Sequence, residues 1–289
     1  MKVLAHRGAM ALAPQNTMPA FRLAWESGAD GIELDVQCTK DGIPVVFHDD
    51  RLDDLTDGAG PVRGYTLEQL QKLDAGSHFG SEWKGERIPT LEEVLRERPK
   101  GSIVNIEIKT EMEFDPFFDK ILHFWRFYPP LARDRESPRE KEALRTAKTT
   151  ADCLRGLMPE FPDLRENIIV SSFDPAALEF FRAEMPEISQ GFLYCVEVRR
   201  DTRPLMKEIA HEAVHPSVFE ISARKTRTIH AAGKKVNCWT VNKDAQVRKL
   251  YRMGVDTIIT NHPHRMVKHI KELDENNKKR AGKADTFNR

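Results

Sequence analysis

The sequence lacks paired cysteines, net charge and long apolar runs. Cys38, Cys153, Cys195 and Cys238 are scattered over 289 residues, with no Cys-x-x-Cys spacing. That excludes a disulfide framework and a zinc-finger site, and reads as reduced thiols in a cytoplasmic protein. Lys and Arg number 45, as do Asp and Glu, so the formal net charge is zero. A chain so balanced has no global pull toward nucleic acid or an anionic membrane. No uninterrupted apolar run is long enough to span a bilayer, and Met1-Lys2-Val3-Leu4-Ala5-His6 holds no signal-peptide core. The expectation is therefore a chain without export signal or membrane insertion. At 40% hydrophobic and 31% charged residues, it is not a disordered chain either.

What the sequence does have is alternation. Short Val- and Ile-rich runs predict strands at 2–6, 31–38, 44–48, 102–109, 168–173, 191–195, 213–215, 235–241 and 257–260. Helical patterns lie between them. One spans 17–27 and stops before Gly28, and another spans 243–253 and stops before Gly254. Thr90 with Glu93 reads as a capping box, and Asp174-Pro175 as a helix start. Repeated strand–helix order predicts a parallel sheet covered by helices, and the length suits a closed (β/α)8 TIM barrel. The link between 31–38 and 44–48 is too short for a crossover helix, so those strands form an antiparallel hairpin. Removing 44–48 leaves the eight parallel strands that a barrel needs.

A single domain is expected over 1–272. Residues 50–87 read as a small cap over one mouth, 129–150 as a charged surface excursion, and 273–289 as a polar, frayed tail.

Strand ends carry the chemistry. Alternation puts Glu33 and Asp35 on one face, and Glu107 and Lys109 on one face. In a barrel, charges at strand C-termini face the catalytic mouth. Solvated strand ends or buried ion pairs would explain one such pair; two corresponding pairs favour a metal site. Three clustered carboxylates need neutralising, and a hard divalent cation, Mg2+ or Ca2+, takes carboxylate oxygens. His6 and Arg7 close the first strand before Gly8, and His48 closes the hairpin. Arg7 and Lys109 suit a phosphate, and the histidines suit proton exchange near neutral pH.

The blocks together are specific. His6-Arg7-Gly8, Pro14-Gln15-Asn16-Thr17, Gly31-Ile32-Glu33-Leu34-Asp35-Val36, Phe47-His48-Asp49, Ile106-Glu107-Ile108-Lys109, Ser171-Ser172-Phe173, Trp239-Thr240-Val241-Asn242 and the closing Thr260-Asn261 come in one order. In that order they resemble the glycerophosphodiester phosphodiesterase family, bacterial cytosolic type. The resemblance implies a phospholipase-C-like barrel, a divalent cation held by Glu33, Asp35 and Glu107, His6 and His48 as general acid and base, and Arg7 and Lys109 on the phosphate. It implies hydrolysis of a small soluble glycerophosphodiester, such as glycerophosphocholine or glycerophosphoethanolamine, to glycerol 3-phosphate and an alcohol. Which histidine is the acid stays open. So do the choice of Mg2+ or Ca2+, and a monomer or a homodimer.

Two positions depart from the pattern. Gln15 stands for a glutamate and Asn261 for a more usual aspartate. Trp239 is a candidate for packing glycerol carbons, and equally a core residue of its strand. His215 is a further candidate for lining the pocket. Phe79 and Trp83 either close over the alcohol or staple the cap. A lysophospholipase-D-like activity and a non-catalytic phosphometabolite-binding barrel are the competing readings.

Overall fold

The computed structural model describes residues 1–109, 138–194 and 211–287. Nine strands form one sheet in the order β1-β9-β8-β7-β6-β5-β4-β2-β3. They are β1 (Lys2–His6), β2 (Gly31–Cys38), β3 (Pro44–Val46), β4 (Ile103–Ile108), β5 (Ile168–Ser172), β6 (Ser189–Tyr194), β7 (Ala213–Pro216), β8 (Lys235–Cys238) and β9 (Thr257–Thr260). β1 pairs in parallel with both β2 and β9, which closes an eight-stranded parallel barrel. β3 lies antiparallel on β2, outside the closed ring, as the short link requires. All nine expected strands are present. Each stays on its own sequence block because the apolar runs between Gly, Pro and polar residues are only long enough for one crossing.

The helices also start where the sequence supplies a cap. Thr90 Oγ1 accepts from the Glu93 N–H at 3.1 Å and the Glu93 carboxylate accepts from the Thr90 N–H at 2.7 Å, opening Leu91–Glu97. The Asp174 carboxylate caps Pro175–Glu184 through the Ala176 N–H. Apolar faces of strands and helices meet in two cores around the barrel, one built on Phe21, Ile32, Leu95, Ile106 and Phe181, the other on Val236, Leu250, Ile258 and Met266.

Two regions differ from expectation. Residues 129–137 lie outside the described part, but Pro138–Leu157 is a barrel helix and not a surface excursion. Its Ala143, Ala147, Ala151, Leu154 and Leu157 sit in the main core. The small alanines gave a weak apolar signal among many charges, yet their spacing of four puts them on one stripe. The last helix runs Pro263–Phe287, so the stretch expected to fray after Leu273 continues it. Tyr251 ties the first turns of that stretch down, donating to Asp274 and accepting from Asn277. The cap carries a small core of its own on the hairpin, with Val45, Phe47, Leu52, Val62, Leu70, Ala75 and Ile88 buried. Phe79 and Trp83 meet edge to face outside that core, at 6.5 Å between ring centres.

Candidate active site

Register decides which charges meet. His6 is the β1 partner of Glu33 on β2, and Asp35 is the partner of Glu107 on β4. Glu33, Asp35 and Glu107 each present an oxygen within 4.8 Å of the other two. Glu33 and Asp35 are buried and Glu107 half-buried.

Two cations bracket this cluster. The Arg7 N–H donates to Glu33 at 3.0 Å, its Nε lies 3.2 Å from Asp35, and its guanidinium donates to Gln15 Oε1. Lys109 Nζ lies 3.2 Å from Glu107 and 3.6 Å from Asp35. The chain reaches these positions through strained turns. Arg7 has φ +54° and Asn16 φ +57°, conformations costing side-chain-bearing residues about 1–3 kcal/mol each. Asn16 holds the turn by donating to the Asp35 carboxylate at 2.9 Å, while its backbone N–H donates to the Arg7 carbonyl. Gly8 relieves the third position: at φ +80°, an added Cβ would lie 2.6 Å from the Ala20 backbone.

The charges do not cancel locally. Burial raises the Glu33 carboxyl well above its ordinary range, and the Asp35 and Glu107 charges push it further. Burial opposes ionisation of Asp35 too, but Arg7 and Lys109 outweigh it and hold that carboxyl low. The Lys109 ammonium is held on the charged side by Glu107 and Asp35, against burial. Three carboxylates face two cations, and Glu33 is the one whose charged form this leaves most disfavoured. A hard divalent cation fits this all-oxygen donor set.

The two histidines have different partners. Burial, then the Arg7 charge, lowers His6 to about 3. Its Nδ1 lies 2.7 Å from the Asn261 carbonyl oxygen and its Nε2 lies 4.0 Å from Glu33. His48 Nδ1 bonds the Asp49 carboxylate, which that bond holds low. The cap reaches this place: a small cavity is lined by Gln15, Asn16 and His48 on one side and Leu55, Ala75 and His78 on the other.

All seven charged residues expected from sequence thus come together. Trp239 stands at the end of β8, half-buried, with its indole N–H on the His215 carbonyl and its ring edge to face with Phe173 at 5.7 Å. It also packs on the interior cluster of Leu4, Ile103 and Ile259. His215 is fully buried inside the barrel, so its expected place on the pocket wall is corrected. Alternation with Val214, which packs in the outer core, turns it inward, and Gly191 leaves room for the ring there. Sequence reasoning assigned no role to Asn16 or Asn261. Their signal was their place beside Gln15 and Thr260 within short motifs.

Comparisons with known proteins agree with this geometry. The model of the glycerophosphoryl diester phosphodiesterase family matches residues 6–117 and 134–265. A glycerophosphodiester phosphodiesterase of Caldanaerobacter subterraneus subsp. tengcongensis is 34% identical over 271 residues, covering 93% of this chain and 98% of that protein. One from Bacillus altitudinis is 33% identical, covering 94% and 99%. Among solved structures, an Oleispira antarctica phosphodiesterase in complex with the product sn-glycerol-3-phosphate superposes with a TM-score of 0.76 at 28% identity, covering 94% of this chain and 97% of that one.

Proposed function

The chain belongs to the glycerophosphoryl diester phosphodiesterase family, and on that premise we propose how its residues divide the hydrolysis of a glycerophosphodiester. It is a glycerophosphodiester phosphodiesterase on a (β/α)8 barrel, releasing glycerol 3-phosphate and an alcohol. The observation that carries the residue assignment is one mouth holding three carboxylates, two cations and two differently partnered histidines.

Glu33, Asp35 and Glu107 would hold the cation, Mg2+ or Ca2+, which when bound offsets their charge and that of the phosphoryl oxygens. Arg7, oriented by Asp35 and Gln15, and Lys109 bind phosphate oxygens. His6 is the base. The Asn261 oxygen accepts from Nδ1–H, which leaves the Nε2 lone pair to take a proton from the glycerol hydroxyl that attacks phosphorus, and water then opens the cyclic phosphate to glycerol 3-phosphate. His48 is the acid. The Asp49 carboxylate on Nδ1 orients the ring, so that Nε2 can give a proton to the departing alcohol oxygen. Trp239 packs against glycerol carbons at the opposite wall.

The preferred substrate is a small, soluble diester such as glycerophosphocholine or glycerophosphoethanolamine. Free thiols at Cys38, Cys153 and Cys238 suit a cytoplasmic setting, and zero net charge gives no general pull toward nucleic acid. Among the described residues no helix is long and apolar enough to cross a membrane. One observation favours a second reading, cleavage of lysophospholipids. Leu12, Phe79 and Phe219 are exposed, on the loops after β1 and β7 and in the cap.

Release of choline, the product common to both, should be assayed with glycerophosphocholine and with lysophosphatidylcholine, in Mg2+, in Ca2+ and in EDTA. We expect turnover of the soluble diester that chelation abolishes. Undiminished turnover in EDTA overturns the cation assignment, and preference for the lysolipid replaces the soluble substrate.

A further inference from the structure

Beneath the carboxylates, the barrel interior is polar where an apolar layer would be expected. On β4 the inward face reads Ile103, Asn105, Glu107, and on β5 Ile169, Ser171, then Phe173. Asn105 and Ser171 therefore lie between the apolar floor of Leu4, Ile103, Ile169 and Ile259 and the mouth. Asn237 holds the matching place on β8, two residues before Trp239. Asn105, Ser171, His215 and Asn237 are each at most 1% exposed.

The four form a continuous band. Asn105 Nδ2 donates to Ser171 Oγ at 3.0 Å. Ser171 is the register partner of Gly191. A Cβ on Gly191 would fall 2.2 Å from His215 Nε2, so the glycine is a seat for the imidazole. The Asn237 amide N–H donates to that same Nε2 at 2.8 Å. An accepting Nε2 puts the ring proton on Nδ1.

Three polar atoms of this band have no partner among the described residues: His215 Nδ1, Asn237 Oδ1 and Asn105 Oδ1. One is a donor and two are acceptors. A water molecule can accept from the one and give its two O–H groups to the others, and buried waters typically make about three hydrogen bonds to otherwise unpaired groups. An unpaired buried polar atom costs about 1–3 kcal/mol, so three left dry is an expensive arrangement.

We propose that this band is a water-binding site inside the barrel, with ordered water accepting from His215 Nδ1 and donating to the Asn237 and Asn105 carbonyl oxygens, and that it positions and solvates the carboxylates above. The register gives the link: Asn105 is the partner of Glu33, and Ser171 of Glu107. A wet layer below lowers the cost of holding these acids charged and fixes the β4–β5 step on which Glu107 stands. The water site stands on the geometry alone; the positioning role rests on Glu33, Asp35 and Glu107 holding the cation.

A high-resolution crystal structure of the wild-type enzyme tests the first part. Water density within hydrogen-bond reach of His215 Nδ1 is expected, and a dry band overturns the site. The double variant His215→Phe, Asn237→Leu and the single variant Asn105→Leu test the second. Calorimetric titration of the metal-free proteins with Mg2+ should show affinity weakened by about tenfold, the low end for groups supporting metal ligands. Thermal midpoints confirm that the variants fold, and replacing both members of the His215–Asn237 pair together keeps that change small. Unchanged Mg2+ affinity in folded variants overturns the positioning role. Absence of Mg2+ binding by the wild type would instead count against the carboxylate assignment. Should the variants not fold, the wild-type density still decides the site.

Discussion

The two halves of the barrel handle buried polarity in opposite ways. On β1, β2 and β4, ionisable groups crowd together around two ion-paired cations. Arg7 meets Asp35, and Lys109 meets Asp35 and Glu107. On β5 to β8, the buried polar groups are neutral: Ser171, His215 and Asn237. Burial alone lowers His215 to about 3, with no charge beside it. The comparison separates what each half is able to do. Paired charges at a strand end can bind a cation and a phosphate and exchange protons, whereas a neutral band can only hold shape and water.

The largest effect belongs to the charged half. His6→Ala and His48→Ala should each cost about 10²–10⁴-fold in turnover. An activated leaving group separates their roles. A nitrophenyl ester of glycerol phosphate needs no acid, so it should restore much of the His48→Ala loss and none of the His6→Ala loss. Equal rescue of both would break the division of labour argued from Asn261 and Asp49.

A middling effect belongs to the neutral half. Burial lowers His215 to about 3 and, with the Arg182 charge, His211 to about 4, from an ordinary 6.5. Between these values the unfolded chain binds protons that the folded chain refuses. Stability is therefore full above the ordinary histidine range and falls as pH drops through it. Denaturant unfolding at about pH 7 and about pH 5 should show the loss, and the His215→Phe, Asn237→Leu variant should lose less. Equal loss in the variant would remove His215 as a source of acid sensitivity.

The smallest effect tests a departure inside the charged half. Gln15 holds Arg7 without neutralising it. With two bound charges of the cation, Arg7, Lys109 and the three carboxylates would sum to one positive charge, matching a phosphodiester. Gln15→Glu should raise KM by about tenfold or less, the scale of one charge-assisted hydrogen bond, with kcat little changed. Steady-state kinetics on glycerophosphocholine checks this, and an unchanged KM would make the substitution neutral.

Much of this was legible in the sequence, for reasons that particular residues show. Glu33 and Asp35, or Glu107 and Lys109, lie two apart on one strand, so their common face follows from the period of the strand alone. Thr90 with Glu93 marks its helix locally. The barrel helix at Pro138–Leu157 was harder, because its buried stripe is mostly alanine. His215 was misplaced because sequence shows that a residue ends a strand, not which side of the sheet its neighbours leave open.

By itself, then, the sequence determined the order of strands and helices and the chemical types standing at strand ends. Both are written within a few residues, in periodicity and in caps. Only the tertiary structure decided the partners. Asn261 reaches His6 across 255 positions because β9 closes on β1. Asn16 reaches Asp35 because a strained turn folds back over β2. The His215 ring lies over Gly191 because β6 and β7 are neighbours. These contacts join residues far apart in the chain, and barrel closure, which no local pattern encodes, is what brings them within hydrogen-bond reach.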